Sequence, residues 1–195
     1  MSYEISKELI LEHCVTSDAI ERFKGTKWFP FMQQSPTVRG EKAHKMFSKI
    51  LYDNDIDHHY NTNAKLGYDM KIYQRNEKIE LKYASINKVF EFILNQVRCN
   101  DLRYEGLIIF LLFPPDHNFF KGNGYMKEWI NHGSEKCKEL FYYISKEQAK
   151  EFKFNTQHPG AGTFTMSNTI SNMNALKEIG DGSLESVINK LREIR

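Results

Sequence analysis

The sequence has few of the features that mark secreted or membrane-embedded proteins. Its three cysteines, Cys14, Cys99 and Cys137, lie far apart and in no metal-binding spacing. An odd, scattered set of thiols argues against a disulfide framework and indicates a reducing compartment, so we expect a cytoplasmic protein. The longest apolar run, GLIIFLLFPP, has the length of a strand rather than of a membrane span. The N-terminal segment MSYEISKELILEH lacks the basic region and cleavage site of a signal peptide, so none is expected.

The sequence also has little net charge and no obvious internal divisions. The formal charge is +2 over 195 residues, which does not indicate a protein that coats nucleic acid by bulk charge. A local basic patch is still compatible with DNA binding, since the potential depends on where the charges lie. No internal repeat, low-complexity tract or long linker divides the chain. We therefore expect a single domain over residues 1–195.

The hydrophobic pattern changes from helical spacing to strand spacing along the first half of the chain. Ser35 and Pro36 read as an N-cap and a first-turn proline, and they predict a helix over 36–52. DIDHHY predicts a short strand, and residues 67–73 and 78–84 predict a hairpin. EGLIIFLLF is apolar almost throughout, which is typical of a central strand covered on both faces.

Further segments complete the prediction. Apolar spacing predicts helices over 3–13, 17–24, 87–100, 124–132, 145–153 and 183–194. A short strand is expected at 140–144, and FNTQHPGAGTFTMSNT is expected to be a loop. The resulting order of elements predicts an α/β fold with a mixed central sheet flanked by helices.

The predicted hairpin carries an unusual set of charges on one face. These residues are Asp69, Lys71, Glu80 and Lys82. Side chains alternate faces along a strand, so the members of each strand's pair point the same way. A turn centred between residues 75 and 76 would pair Asp69 with Lys82 and Lys71 with Glu80, and it would bring the apolar residues together on the other face.

Two carboxylates with an amine beside them suit metal-assisted phosphodiester hydrolysis. Carboxylate oxygens at Asp69 and Glu80 are the ligands that Mg²⁺ prefers, together with water and substrate phosphate. The ammonium group of Lys82 could orient a water molecule or stabilise charge that develops on the phosphate. The alternative is a solvated sheet face, because cross-strand pairs of this kind are common and each contributes about 0.2–1 kcal/mol. The short pattern alone leaves both interpretations open.

The order of elements around these residues resembles the PD-(D/E)xK nuclease superfamily, which includes many Type II restriction endonucleases. Asp69 matches the acid of the first hairpin strand, and Glu80-Leu81-Lys82 matches the acid-x-lysine motif of the second. Tyr68 stands where a proline often precedes the first acid. The resemblance covers residues 36–113, so it implies a catalytic core there and recognition elements in 1–35 and 114–195.

The resemblance also implies auxiliary residues, a metal and a substrate. Glu41 matches an acid in the helix before the hairpin, and Gln96 matches a glutamine in the helix after it. The implied activity is a Mg²⁺-dependent endonuclease, with Mn²⁺ as a substitute, that cuts duplex DNA at a short specific site. A homodimer would cut both strands of a palindrome, and a cognate methyltransferase would protect host DNA. Two alternatives stay open: a structure-specific repair or recombination nuclease, and a non-catalytic DNA-binding protein.

Several other residues are candidates for DNA contacts, although each also has a plain structural interpretation. They are Arg39, Lys42, Lys71, Lys121 and His158. The first two flank Glu41 near the start of a helix, and the last opens the glycine-rich stretch HPGAGTF, whose backbone amides could approach a phosphate. A metal site that uses both His58 and His59 is not expected, because neighbouring strand residues point to opposite faces.

Overall fold

A computed structural model of the chain describes residues 18–63, 66–85, 93–97, 104–115, 137–152, 154–158, 163–167 and 170–193. The described elements form an α/β fold in which a mixed five-stranded sheet is flanked by helices. This confirms the predicted α/β class with a mixed central sheet and flanking helices. No helix within these ranges is long and apolar enough to cross a membrane. The helices predicted over 3–13 and 124–132 lie outside the described residues.

Five helices are described, and a cap formed by a serine begins two of them. They are α1 (Asp18–Glu21), α2 (Phe29–Met32), α3 (Pro36–Asp53), α4 (Ile170–Ile179) and α5 (Leu184–Arg192). At the start of α3 the Ser35 hydroxyl accepts a hydrogen bond from the backbone N–H of Val38, and at the start of α5 the Ser183 hydroxyl accepts one from Ser186. The predicted helices over 36–52 and 183–194 are confirmed. α4 was not predicted.

The main sheet has the strand order β1-β2-β3-β5-β6. Its strands are β1 (His58–Tyr60), β2 (Met70–Ile72), β3 (Glu77–Ser85), β5 (Gly106–Phe113) and β6 (Lys138–Ser145). The β3–β5 pair is parallel and the other pairs are antiparallel, so the sheet is mixed. β5 is buried along its whole length, which confirms the central strand predicted from its apolar run.

The core lies on both faces of this sheet. On one face, Ala43, Phe47 and Leu51 of α3 pack into a cluster with Ile79 and Leu81 of β3, among others. The residues between these two on β3 point to the opposite face. The other face of β5 belongs to a separate cluster, which includes the buried residues Leu94, Val97, Ala175 and Leu176. The charged residues of β3, Lys78, Glu80 and Lys82, therefore lie on the face that points away from α3.

A second, three-stranded sheet corrects two sequence-based expectations. It has the order β4-β8-β7, with β4 at Ile93–Val97, β7 at Phe154–His158 and β8 at Thr163–Ser167. The helix predicted over 87–100 is wrong at 93–97. Leu94 and Val97 are three residues apart and both buried, which is typical of a helix. A register shift between them lets a strand bury both.

The expectation of a loop over FNTQHPGAGTFTMSNT is also wrong for its two halves. β7 and β8 run antiparallel on either side of residues 159–162. The high proportion of glycine and polar residues obscured the alternation of threonine with Phe164 and Met166, which is a strand pattern. The helix expected over 145–153 is reduced to a 3₁₀ turn at Gln148–Glu151.

Candidate active site

The hairpin of β2 and β3 forms as predicted, but its register differs by two residues. Met70 lies opposite Ile79, and Lys71 lies opposite Lys78. The predicted pairs of Asp69 with Lys82 and of Lys71 with Glu80 are therefore wrong. The physical reason is a turn that lies one residue earlier than expected, over residues 73–76, in which Asn76 adopts a left-handed φ of 51° and donates its N–H to the Tyr73 carbonyl over 3.0 Å. A shift of two residues keeps the side chains of β2 and β3 on their predicted faces, so the hydrophobic pattern does not distinguish the registers. Asp69 lies just before β2, and its carboxylate turns to the edge of β3, beside His44 of α3.

Asp69 is bonded to β3 on both sides of Glu80. Its backbone N–H donates to the Ile79 carbonyl over 2.9 Å. Its Oδ2 accepts a hydrogen bond of 2.7 Å from the backbone N–H of Leu81. β2 pairs only with residues 77–79 of β3, so the Leu81 amide would otherwise have no strand partner on that edge. The carboxylate of Asp69 is thereby held beside the Glu80-Leu81-Lys82 segment.

His44 of α3 reaches the same point on β3, and it was not predicted. Its Nε2 lies 3.2 Å from the Leu81 carbonyl oxygen and 3.5 Å from Asp69 Oδ2. The imidazole and the Asp69 carboxylate thus engage the carbonyl and the amide of one residue. The sequence places His44 one turn from Glu41 on the same predicted helix, but no motif distinguishes it from its neighbours.

Glu80 and Lys82 form an ion pair on one face of β3. Lys82 Nζ lies 2.6 Å from Glu80 Oε1, and the two side chains are 19% and 11% exposed. Alternation along the strand predicted that they would share a face, and they do. The solvated face assumed in the alternative interpretation is wrong for Glu80, which is buried. Burial strengthens the attraction between the two charges, and it also raises the cost of removing either partner.

Tyr60 of β1 connects Glu41 electrostatically with this region. Burial, the charge of Asp69 and the charge of Glu41, in that order, raise the pKa of the Tyr60 phenol. Both carboxylates therefore lie within electrostatic reach of one hydroxyl group. Glu41 is exposed on α3, the helix that also carries His44. The sequence predicted Glu41 as an auxiliary acid, but nothing in it pointed to Tyr60.

The remaining predicted residues lie apart from this cluster or outside the described side chains. Arg39 Nη1 contacts Met32 Sδ at 3.5 Å, and Lys42 is exposed on α3. Lys71 lies on β2 with its Nζ 5.9 Å from the centre of the Tyr73 ring. The backbones of Gln96 and His158 lie in β4 and β7 of the second sheet, rather than in the predicted helix and loop. Lys121 lies outside the described residues.

The histidine pair on β1 behaves as expected from strand geometry. His58 is held by two hydrogen bonds: its Nδ1 donates to the Ile56 carbonyl over 2.9 Å, and its Nε2 shares a hydrogen bond of 2.7 Å with the Ser48 hydroxyl. His59 is exposed. Both ring nitrogens of His58 are thus engaged within the protein.

The donor atoms around Leu81 suit a hard divalent cation. Asp69 and Glu80 supply carboxylate oxygens, and Leu81 supplies a carbonyl oxygen, which are ligand types that Mg²⁺ and Mn²⁺ accept. Among the described residues, no group of three or more His, Cys, Asp and Glu side chains could hold a metal ion. A cation bound here would therefore take the rest of its ligands from water and substrate, which is usual for Mg²⁺ in phosphoryl-transfer sites.

Comparisons with known proteins add no assignment. No protein-family model matches the sequence, and a search of curated proteins gives no significant match.

Proposed function

We propose that the protein is a Mg²⁺-dependent endonuclease that hydrolyses phosphodiester bonds in duplex DNA. The observation that carries this proposal is the hydrogen bond from the Leu81 amide to the Asp69 carboxylate, next to the ion pair of Glu80 and Lys82. It gathers two acids and a lysine around three consecutive residues of one strand. Such a group has the charge and donor types that metal-assisted hydrolysis of a phosphodiester requires.

The strand topology supports the same proposal. α3 is followed by the antiparallel strands β1, β2 and β3, and β5 then pairs with β3 in parallel. The resemblance to PD-(D/E)xK nucleases rests on the order of a helix, a hairpin that carries both motifs, a second helix and a hydrophobic strand, and α3, the hairpin and β5 follow that order. The segment between β3 and β5 differs from the expected helix at residues 93–97, so the support rests on the sheet.

Each described side chain has a separate role in the proposed reaction. A divalent cation held by Asp69 and Glu80 would supply Lewis-acid polarisation of the phosphate and a more acidic water molecule. Lys82 would orient the attacking water and stabilise the negative charge that develops on the phosphate oxygens. His44 would hold the Asp69 carboxylate and the Leu81 carbonyl in place. Proton transfer from the water would end in bulk solvent or on the leaving oxygen.

Site-specific restriction of DNA is the form of this activity that we propose. A homodimer would supply two such sites for a palindromic sequence, and a cognate methyltransferase would protect the host's copies of that sequence. Plasmid digestion separates this form from the repair form. Discrete fragments from plain duplex DNA support restriction, whereas cleavage confined to branched or flapped DNA supports a structure-specific nuclease.

The decisive experiment compares Asp69→Asn with Asp57→Asn. Asp57 is exposed and lies just before β1, so its substitution changes the same charge away from the site. We expect the wild type and Asp57→Asn to cut plasmid DNA with Mg²⁺ and not with EDTA. The cleavage rate of Asp69→Asn should be at least about 100-fold lower. Removal of a residue that only orients a metal ligand already costs about 10–100-fold, and removal of the ligand itself should cost more. Cleavage by Asp69→Asn at the wild-type rate would remove the basis of the assignment.

A metal-binding measurement gives an independent readout. Isothermal titration with Mn²⁺ should show affinity at least about tenfold weaker in Asp69→Asn than in Asp57→Asn. The amide of the asparagine can still accept a hydrogen bond from Leu81, so urea unfolding should show that the variant remains folded. Equal Mn²⁺ affinity in the two variants would show that Asp69 is not a ligand.

A further inference from the structure

Three basic side chains lie abreast across β1, β2 and β3. His59 is directly opposite Lys71, and Lys71 is directly opposite Lys78. Directly opposed residues of antiparallel strands point to the same face, with Cβ atoms about 4.5–5.5 Å apart. We call His59, Lys71 and Lys78 the basic row.

The basic row faces away from α3, on the same face of β3 as Glu80 and Lys82. Met70, Ile72 and Ile79 alternate with its lysines and are fully buried in the cluster that contains α3. Lys78 and Glu80 are two residues apart on β3, so they share a face at a separation of about 6.7 Å along the strand. The row therefore lies one step along the sheet from the proposed cleavage site.

Neither lysine of the row has an acidic partner in the described part of the chain. Lys71 Nζ lies 5.9 Å from the centre of the Tyr73 ring, and Lys78 Nζ lies 5.6 Å from that of Tyr68. The nearby carboxylate of Glu105 accepts a hydrogen bond from the Lys78 backbone amide rather than from its ammonium group. By contrast, Lys82 on the same strand is paired with Glu80.

Two lysines that lie directly opposite each other without acidic partners lower the stability of the fold. Like charges directly opposite on neighbouring strands repel, and they lower the stability of the sheet. The tyrosine rings offset part of this repulsion through cation–π contacts. A polyanion laid across the row would neutralise both charges, and the imidazole of His59 could donate a further hydrogen bond to an anionic oxygen.

We propose that the basic row binds the phosphodiester backbone of duplex DNA next to the phosphate that is cleaved. The identity of the occupant rests on the proposed function, whereas the location rests on the strand register. Phosphate contacts fix the position and orientation of a protein on DNA without reading its sequence. The row would thus hold the DNA strand in register with Asp69 and Glu80, and the half-exposed ring of Tyr73 would border the DNA backbone beside Lys71.

The test is the salt dependence of duplex binding for Lys71→Gln/Lys78→Gln. The control is Lys45→Gln/Lys150→Gln, which removes two exposed lysines and gives the same net charge. Binding of a fluorescent duplex is followed by anisotropy in EDTA from about 50 to about 200 mM KCl. We expect the slope of log K against log salt to become shallower by about 1.8 in the row variant, or ~0.9 for each lost phosphate contact. The control should keep the wild-type slope.

Two further outcomes separate this inference from the proposed function and from a structural role. An unchanged slope in the row variant would overturn the inference even if the protein cuts DNA. So would a lower urea midpoint that accounts for the weaker binding, because the two lysines would then act through the stability of the fold. If DNA binding depends on the basic row but no Mg²⁺-dependent cleavage occurs, the inference about the row is supported and the proposed nuclease activity is contradicted. We expect the urea midpoint of the row variant to equal or exceed that of the wild type, because a repulsion has been removed.

Discussion

The carboxylate of Asp69 accepts its hydrogen bond from Leu81, the residue that lies between Glu80 and Lys82. β2 begins at Met70 and pairs only with residues 77–79, while β3 continues past it. The backbone groups of Leu81 on that edge therefore need hydrogen-bond partners from outside β2. Asp69 satisfies the amide, and His44 engages the carbonyl. The end of β2 thus places Asp69 and His44 at Leu81, the residue between Glu80 and Lys82.

Lys82→Ala should lower the rate of cleavage by about 10²–10³-fold, which is the usual cost of losing one group that stabilises transition-state charge. It should also lower the free energy of unfolding by about 1–2 kcal/mol. The loss leaves Glu80 without its 2.6 Å partner, although partial exposure reduces the cost below that of a fully buried pair. Rates on plasmid DNA and urea unfolding measure the two effects.

A second variant separates these two effects of Lys82. Lys82→Gln keeps a hydrogen-bond donor for the Glu80 carboxylate and leaves that metal ligand intact, so it should regain part of the lost stability and none of the activity. The exposed Lys150→Ala serves as the control and should behave as the wild type in both measurements. Recovery of cleavage together with stability would show that Lys82 acts only through the fold.

His44→Ala should weaken Mn²⁺ binding and Mg²⁺-dependent cleavage by about 10–100-fold, the range found when a residue that orients metal ligands is removed. The imidazole lies within 3.5 Å of both Asp69 Oδ2 and the Leu81 carbonyl. His44→Gln keeps a donor for the carbonyl and should recover part of the activity. Lys45→Ala, next to it and exposed on α3, is the matched control. Equal Mn²⁺ affinity in His44→Ala and Lys45→Ala would contradict this role.

The sequence predicted the parts of the fold that have a strong local signal. The Ser35–Pro36 start of α3, the short β1, the hairpin and the apolar run of β5 all form as expected. It did not predict the register of the hairpin, because a shift of two residues preserves the alternation of faces. The register of a hairpin depends on the turn and on tertiary contacts, which the hydrophobic pattern of the sequence does not specify.

The candidate site shows the same limit. Alternation along β3 predicted that Glu80 and Lys82 share a face, and the ion pair agrees with it. The role of the Leu81 backbone and the approach of His44 follow from where β2 begins and how α3 packs, so no motif could reveal them. Gln96 was expected on a helix because Leu94 and Val97 have helical spacing, and a register shift in β4 produces the same burial from a strand.

Tyr83 should make the protein less stable above pH 10. Burial raises the pKa of its phenol from 10.0 to about 12, with a smaller opposing effect of the Arg39 charge. The unfolded chain therefore loses this proton at a lower pH than the folded protein does. The stabilisation is complete below about pH 10 and disappears as the pH rises towards 12, and it amounts to at most about 3 kcal/mol.

Tyr83→Phe should flatten this alkaline decline, as urea unfolding at about pH 8 and about pH 11 would show. Burial also raises the pKa of Tyr142, so a part of the decline should remain in the variant. Tyr52, which is 73% exposed, provides the control Tyr52→Phe. A decline as steep in Tyr83→Phe as in Tyr52→Phe would exclude Tyr83 as its source.

The buried pair of Arg75 and Glu77 should stabilise the fold more than any exposed ion pair that the described residues form. Their side chains are 4% and 5% exposed, with Nε 2.8 Å from Oε2. Arg75 Nη1 also donates to the carbonyls of Lys190 and Glu193, which fastens the hairpin turn to the end of α5. Arg75→Met should therefore lower the free energy of unfolding by about 3–5 kcal/mol, because it leaves a buried carboxylate without its cation.

The double variant Arg75→Met/Glu77→Leu tests the origin of that loss. It removes the stranded charge, so urea unfolding should show a stability well above that of Arg75→Met alone. Recovery should be incomplete, since the Tyr143 hydroxyl loses the Glu77 acceptor 2.9 Å away and the α5 carbonyls lose their donor. Lys24→Met, which breaks an exposed pair with Glu21, should cost less than about 1 kcal/mol. Equal losses in Arg75→Met and Lys24→Met would show that burial adds nothing to this pair.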